Sequence, residues 1–167
     1  KKPCPVPYNG FSRKPETLQK MIEKGVMRVK FVFLILHYKN DDVTKQCIES
    51  LIQCFGTLQM EIIVVDNASD NGSYEKLLQC YGNASYIHFL HNRKNLGYAA
   101  GNNVGFQYAK KVLKADWICL ANNDVIFQDK KWIDKVRGLY QNTPYYVLGP
   151  DIVTPQGQHQ NPFREHV

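Results

Sequence analysis

Apolar residues along this chain gather into short continuous runs, separated by stretches in which they recur at helical spacing. Val29–Leu36 predicts a strand buried on both faces of a sheet. Asp41 and Asp42 stand where a helix would be capped. That helix runs to about Cys54, with Val43, Cys47, Ile48, Leu51 and Ile52 on its inner face. Met60–Val65 is a second apolar strand, Ser73–Cys80 a short helix, Tyr86–Leu90 a third strand and Tyr98–Leu113 a longer helix. Asp116–Leu120 makes a fourth strand, followed by a helix over Lys130–Gln141 that carries Trp132, Ile133, Val136, Leu139 and Tyr140. Strand and helix thus alternate four times. This predicts an α/β fold, a mostly parallel, Rossmann-like sheet with helices on both faces. Val147–Val153 and the turn Thr154-Pro155-Gln156-Gly157 predict a further strand and hairpin.

Residues 1–28 have a different character and read as a basic arm preceding one domain over 29–167. Lys1–Gly10 holds three prolines and is irregular, while Pro15–Lys24 has the spacing of a short helix with Leu18, Met21 and Ile22 on one face. The chain has 21 basic and 15 acidic residues, net +6. Residues 1–30 hold eight basic and two acidic residues, which is the whole excess. A neutral main body argues against nucleic acid as a partner. The arm is the part suited to peripheral contact with an anionic membrane surface. No apolar run approaches the roughly 18 residues needed to cross a bilayer. Five scattered cysteines without a C-x-x-C pair fit a reducing, cytoplasmic location. His88 and His91 have no cysteine pair beside them, which leaves zinc without support.

In an open parallel sheet, ligands bind at the carboxyl ends of the strands. The segments there are His37-Tyr38-Lys39-Asn40, Asp66 to Gly72, His91 to Gly97, and Ala121-Asn122-Asn123-Asp124. Each is polar and rich in Asn and Asp. One such loop is ordinarily a turn, because these side chains bond their own backbone. Four on a single edge point to a polar ligand. There is no G-x-G-x-x-G after the first strand, no G-x-x-x-x-G-K-[ST] and no G-x-S-x-G. A dinucleotide site, a P-loop and a hydrolase elbow therefore lose their support. Gly97, Gly101 and Gly105 form a stripe that lets the backbone come close either to the sheet or to a ligand.

The segments FVFLILHYKN, EIIVVDNASDNGS, HNRKNLGYAAGNNVGFQYA and WICLANNDVIF follow in that order. On these motifs the chain, from about Val29 to Arg164, resembles the family 2 glycosyltransferases, which have the nucleotide-sugar-binding GT-A fold. The wording is especially similar to the rhamnosyltransferase-like branch. The resemblance implies a nucleotide-sugar site drawn from Leu36, His37, Tyr38, Asp66, Asn67, Ser69, Arg93, Asn95, Gly97, Asn122 and Asn123. Tyr38 would lie against the base, Asp66 or Asn67 would bond the base or ribose, and Arg93, Asn95 and Gly97 would shape the pocket. Asn122-Asn123-Asp124 stands where the family has Asp-x-Asp, so Asp124 is the implied ligand of Mg²⁺ or Mn²⁺ on the diphosphate. A hard cation turns a nucleoside diphosphate into a competent leaving group.

The implied donor is a UDP- or dTDP-sugar, and the implied acceptor a saccharide or lipid-linked hydroxyl. The implied reaction is inverting transfer in polysaccharide or glycoconjugate synthesis. Asp151 and Glu165 carry no motif. The catalytic base is therefore expected beyond Val167, in an acceptor half from which this chain is truncated. Two other classes stay open. One is a catalytically silent nucleotide-sugar-binding module without that base. The other is a nucleotidyltransferase, disfavoured because no Gly-rich, Lys/Arg-bearing loop follows the first strand.

Overall fold

The computed structural model describes residues 30–58 and 60–160. The arm over 1–28 with its short helix, and Glu165, lie outside the described residues. The chain divides into two compact units, the first ending at Gln128 and the second beginning at Asp129.

In the first unit, strands β1 (Phe31–His37), β2 (Met60–Asp66), β3 (Ile87–His91) and β4 (Trp117–Asn122) form one sheet. Their order is β3-β2-β1-β4 and every pairing is parallel. Between them run helices α1 (Asp41–Phe55), α2 (Ser73–Tyr81) and α3 (Gly97–Tyr108), the last continued by a π-helical turn over Ala109–Leu113. Successive strand residues face opposite sides. Val32 and Leu34 of β1 join Ile63 and Val65 of β2 and Ala109 in a fully buried cluster. On the other side, Phe33 stacks on Phe55 of α1, with ring centres 5.4 Å apart, and meets the edge of Phe127 at 5.3 Å. Helices thus close both faces of the sheet, which is why β1 is apolar without alternation.

The glycine stripe is spent on the sheet. A Cβ on Gly105 would collide with Leu34 and come within 2.8 Å of Val65, and one on Gly101 would lie 2.8 Å from Leu36. Gly97 opens the helix at a φ of 76°, where a side chain is strained.

Three details depart from the expectations. Asn40, not Asp41 or Asp42, caps α1, its Oδ1 accepting from the Val43 amide at 3.2 Å. Asp41 instead takes Lys45 at 2.8 Å and Lys76 at 3.2 Å. In the second unit, helix α4 (Trp132–Asn142) buries Ile133 and Val136 while Leu139 and Tyr140 are exposed. The expected strand over Val147–Val153 is not formed. Only Val153 bridges to His159, around a turn closed by Gly157 N–H to Thr154 O at 2.8 Å.

Candidate active site at the reversal of strand order

The chain steps outward from β1 through β2 to β3, then returns to set β4 on the other side of β1. Where strand order reverses, loops leave the carboxyl ends in opposite directions and a crevice opens. An open cleft of about 310 Å³ lies there, at the small end of the range for ligand sites. Leu36 and Tyr38 line it from the end of β1, Asn122, Asn123 and Asp124 from the end of β4, and Tyr98 from the first turn of α3. Leu36 and Asn122 are register partners, so the two walls stand level. Tyr98 is a residue the sequence reading missed; its only signal was an aromatic in the first turn after a strand-end loop. Its hydroxyl donates to Asn122 Oδ1 at 2.8 Å.

Asn123 donates from Nδ2 to Thr44 Oγ1 at 3.2 Å. Asp124 is exposed and pairs with no cation among the described residues. Above the Tyr38 ring, at 5.1 Å from its centre, sits the ammonium of Lys39. That ammonium also pairs with Asp70 at 2.8 Å. The Lys39 amide donates to Ser69 Oγ at 2.8 Å, and its carbonyl accepts from Asn71 Nδ2 at 2.7 Å. Two of the expected loops are thereby stapled together, with Lys39 and Ala68 both held at positive φ (62° and 64°), a region costly for side chains.

Asp66, Asn67, Asn95 and Gly97 meet in a second group. The buried Asp66 carboxylate accepts from His91 Nδ1 at 2.8 Å and from the Ser69 amide at 3.1 Å. Asn67 donates to Asn95 Oδ1 at 2.9 Å and to Gly97 O at 3.3 Å. Its own oxygen accepts from Asn92 Nδ2 at 3.2 Å and the Leu96 amide at 3.0 Å. Those four bonds use the whole capacity of the side chain, so it is committed to shaping the loop before α3. Asn92, buried in this network, was also missed. Arg93 is exposed.

His37 does not line the cleft, which corrects its place among the ligand-facing residues. It follows Leu36 on the strand, so the pleat points it to the opposite face. There it is fully buried, with Nδ1 2.8 Å from Thr44 Oγ1 and Nε2 2.9 Å from Ser73 Oγ. Burial holds its pKa below the ordinary 6.5, outweighing the nearby carboxylates of Asp66 and Asp41.

Among the described residues no group of three or more His, Cys, Asp or Glu is placed to hold a metal by itself. The cleft nevertheless offers hard oxygen donors, the Asp124 carboxylate beside amide groups. Such a set fits a Mg²⁺ or Mn²⁺ ion whose remaining ligands come from phosphates.

A model of the family described as Glycosyl transferase family 2 matches residues 33–166. The chain belongs to that family. The family 2 chain is 26% identical over 124 residues to the low-salt glycan biosynthesis hexosyltransferase Agl10 of Haloferax volcanii, across 74% of its own length and 37% of that relative. The crystal structure of S. aureus TarS 1–349 is similar with a TM-score of 0.55 at 18% identity, over 68% of this chain and 32% of that one. The mannosyltransferase PcManGT from Pyrobaculum calidifontis, in complex with GDP-Man and Mn²⁺, gives a TM-score of 0.57 at 13% identity, over 65% and 32%. These likenesses establish the GT-A fold. The chain spans about a third of the length of each of these relatives. Among the described residues no helix is long and apolar enough to cross a membrane.

Proposed function

We propose that this glycosyltransferase domain binds the nucleotide diphosphate of a UDP- or dTDP-sugar in the cleft between β1 and β4, with a divalent cation on Asp124. The observation that carries the reading is the meeting of an aromatic, Tyr38, with Asn122-Asn123-Asp124 at the reversal of strand order. Tyr38 offers a face to the base. Asn122 gives hydrogen bonds to sugar or phosphate oxygens, Asn123 takes them from sugar hydroxyls, and Asp124 holds Mg²⁺ or Mn²⁺. Asp66, Asn67, Ser69, Asn95 and Gly97 set the loops around the nucleotide, and Arg93 lies on the same edge. When bound, the cation neutralises the charge that develops on the leaving diphosphate.

In the whole protein, an acceptor hydroxyl on a saccharide or lipid-linked glycan attacks the anomeric carbon opposite that diphosphate, with inversion. Asp124 is the only carboxylate lining the cleft among the described residues, so the acceptor's proton goes to a carboxylate elsewhere in the protein. The same observation favours the second reading, a module that binds the nucleotide-sugar without turning it over. Sugar release from the donor separates the two. The VVDNAS and GYAAGNN wording supports a hexosyl or deoxyhexosyl donor of the rhamnosyltransferase-like branch. Work on a polysaccharide at the cytoplasmic face of the membrane completes the proposal.

Calorimetric titration of UDP and dTDP, with and without Mn²⁺, tests it. Metal and nucleotide are expected to tighten each other by about tenfold in the natural protein. Asp124→Asn is expected to remove that coupling while metal-free nucleotide affinity stays or rises slightly, because a negative charge near the phosphates is gone. Wild-type affinity that ignores Mn²⁺ would sink the assignment of Asp124.

A further inference from the structure

The hydroxyl of Thr44 is contacted by three groups: Asn40 O at 3.0 Å, His37 Nδ1 at 2.8 Å and Asn123 Nδ2 at 3.2 Å. A hydroxyl has one hydrogen and two lone pairs. The Asn40 carbonyl can only accept, so it takes the hydrogen. Both remaining partners must then donate. This fixes two things that heavy-atom positions alone leave open. His37 must carry its proton on Nδ1, and the end of the Asn123 amide that faces Thr44 must be the amino group. The other ring nitrogen of His37 then accepts from Ser73 Oγ–H, at 2.9 Å. Thr44, His37 and Ser73 are all fully buried, so no water competes for these bonds.

We propose that the Thr44 hydroxyl, seated between Asn40 and His37, is a positioning group that locks the amide of Asn123 with its carbonyl oxygen offered to the cleft. Asn123 Oδ1 has no hydrogen-bond partner among the described residues, and the residue lines the cleft beside Asp124. The lock places a neutral hard oxygen next to the single carboxylate, where a divalent cation or a ligand hydroxyl takes it. Were His37 protonated on Nε2 instead, the one hydrogen of Thr44 would go to Asn40 or to Nδ1 and Asn123 would still have to donate, so the lock belongs to the Thr44 hydroxyl itself. The cation part of this inference rests on the metal–nucleotide reading above; the lock itself does not.

Two measurements test it separately. Long-range ¹⁵N–¹H spectra of the resonance-assigned protein are expected to show His37 as the neutral Nδ1–H form, and an Nε2–H form overturns the assignment of the Thr44 hydrogen to Asn40. In the same spectra the Asn123 side-chain amide pair is expected to move in Thr44→Val and to stay in Thr44→Ser; signals unmoved in Thr44→Val overturn the lock. Titration of UDP with and without Mn²⁺ then reads the consequence. Thr44→Val should lose about tenfold of the coupling between metal and nucleotide, the scale on which outer partners tune a metal site, and Thr44→Ser should retain it. Equal loss in both variants removes the role of the hydroxyl. A natural protein without any metal coupling defeats the proposed function, and the Asn123 signals still decide the lock.

Discussion

The imidazole of His37 ties the acid stability of the domain to its cleft. Because burial lowers its pKa in the folded state, the unfolded chain takes up the proton first as pH falls. The stabilisation is complete above the unfolded value of about 6.5 and is lost as pH drops through the lower folded value. The urea midpoint of the natural protein is expected to fall between about pH 7.5 and about pH 5.5. His37→Gln, which cannot titrate, should lose that part of the decline; parallel curves for both proteins would show that another group is responsible. That His37 is buried was not legible in the sequence. A strand-end segment announces that it reaches the edge, but which of its residues turns inward depends on where the strand stops. Expected to end at Leu36, β1 runs one residue further, to His37. That Tyr38 and Asp124 reach the sheet edge was legible because each lies a few residues past an apolar run. Tyr98, Asn92 and Thr44 were not, since each reaches the site through a bond to a residue 24, 25 or 79 positions away.

Among the elements, α3 comes close to the sheet at Gly101 and Gly105, and the approach depends on absent side chains. Gly105→Ala would gain about 1 kcal/mol in helix propensity. Against that, its new Cβ meets Leu34 and Val65 in a packed core, where overpacking costs about 1–3 kcal/mol. Chemical denaturation should therefore show a net loss of stability. Gly138→Ala in α4, with nothing within 4 Å of the added atom, should show none; similar losses in both would refute the packing argument. The sequence left the glycine stripe open between sheet and ligand because spacing reveals a close approach without naming what approaches. The strands themselves were readable, since a run of β-branched and aromatic residues too short for a helix has few other uses. Val147–Val153 mixes its apolar residues with Gly149, Pro150 and Asp151, and Val147 is exposed. A strand is a property of a pair, and among the described residues the ladder pairing of that segment is the single bridge at Val153.

For the molecule as a whole, charge is distributed by position. Deleting residues 1–26 removes six basic and two acidic residues, and each basic group near an anionic bilayer is worth about 1 kcal/mol. Sedimentation with anionic vesicles is expected to show binding that this deletion strongly reduces and that neutral vesicles never support. Binding that survives the deletion, or is absent from the start, removes the membrane role of the arm. The strand order has a consequence of another kind. β1 can pair with β2, and β2 with β3, as each emerges in turn, but β4 must come back past both to reach the free side of β1. Closing the longest loop is the costliest step in ordering the sheet. Until it happens, the wall that bears Tyr38 faces no wall bearing Asp124, and the cleft does not exist. A ligand of this cleft cannot recruit a half-made chain; it recognises the finished sheet and holds its last strand in place.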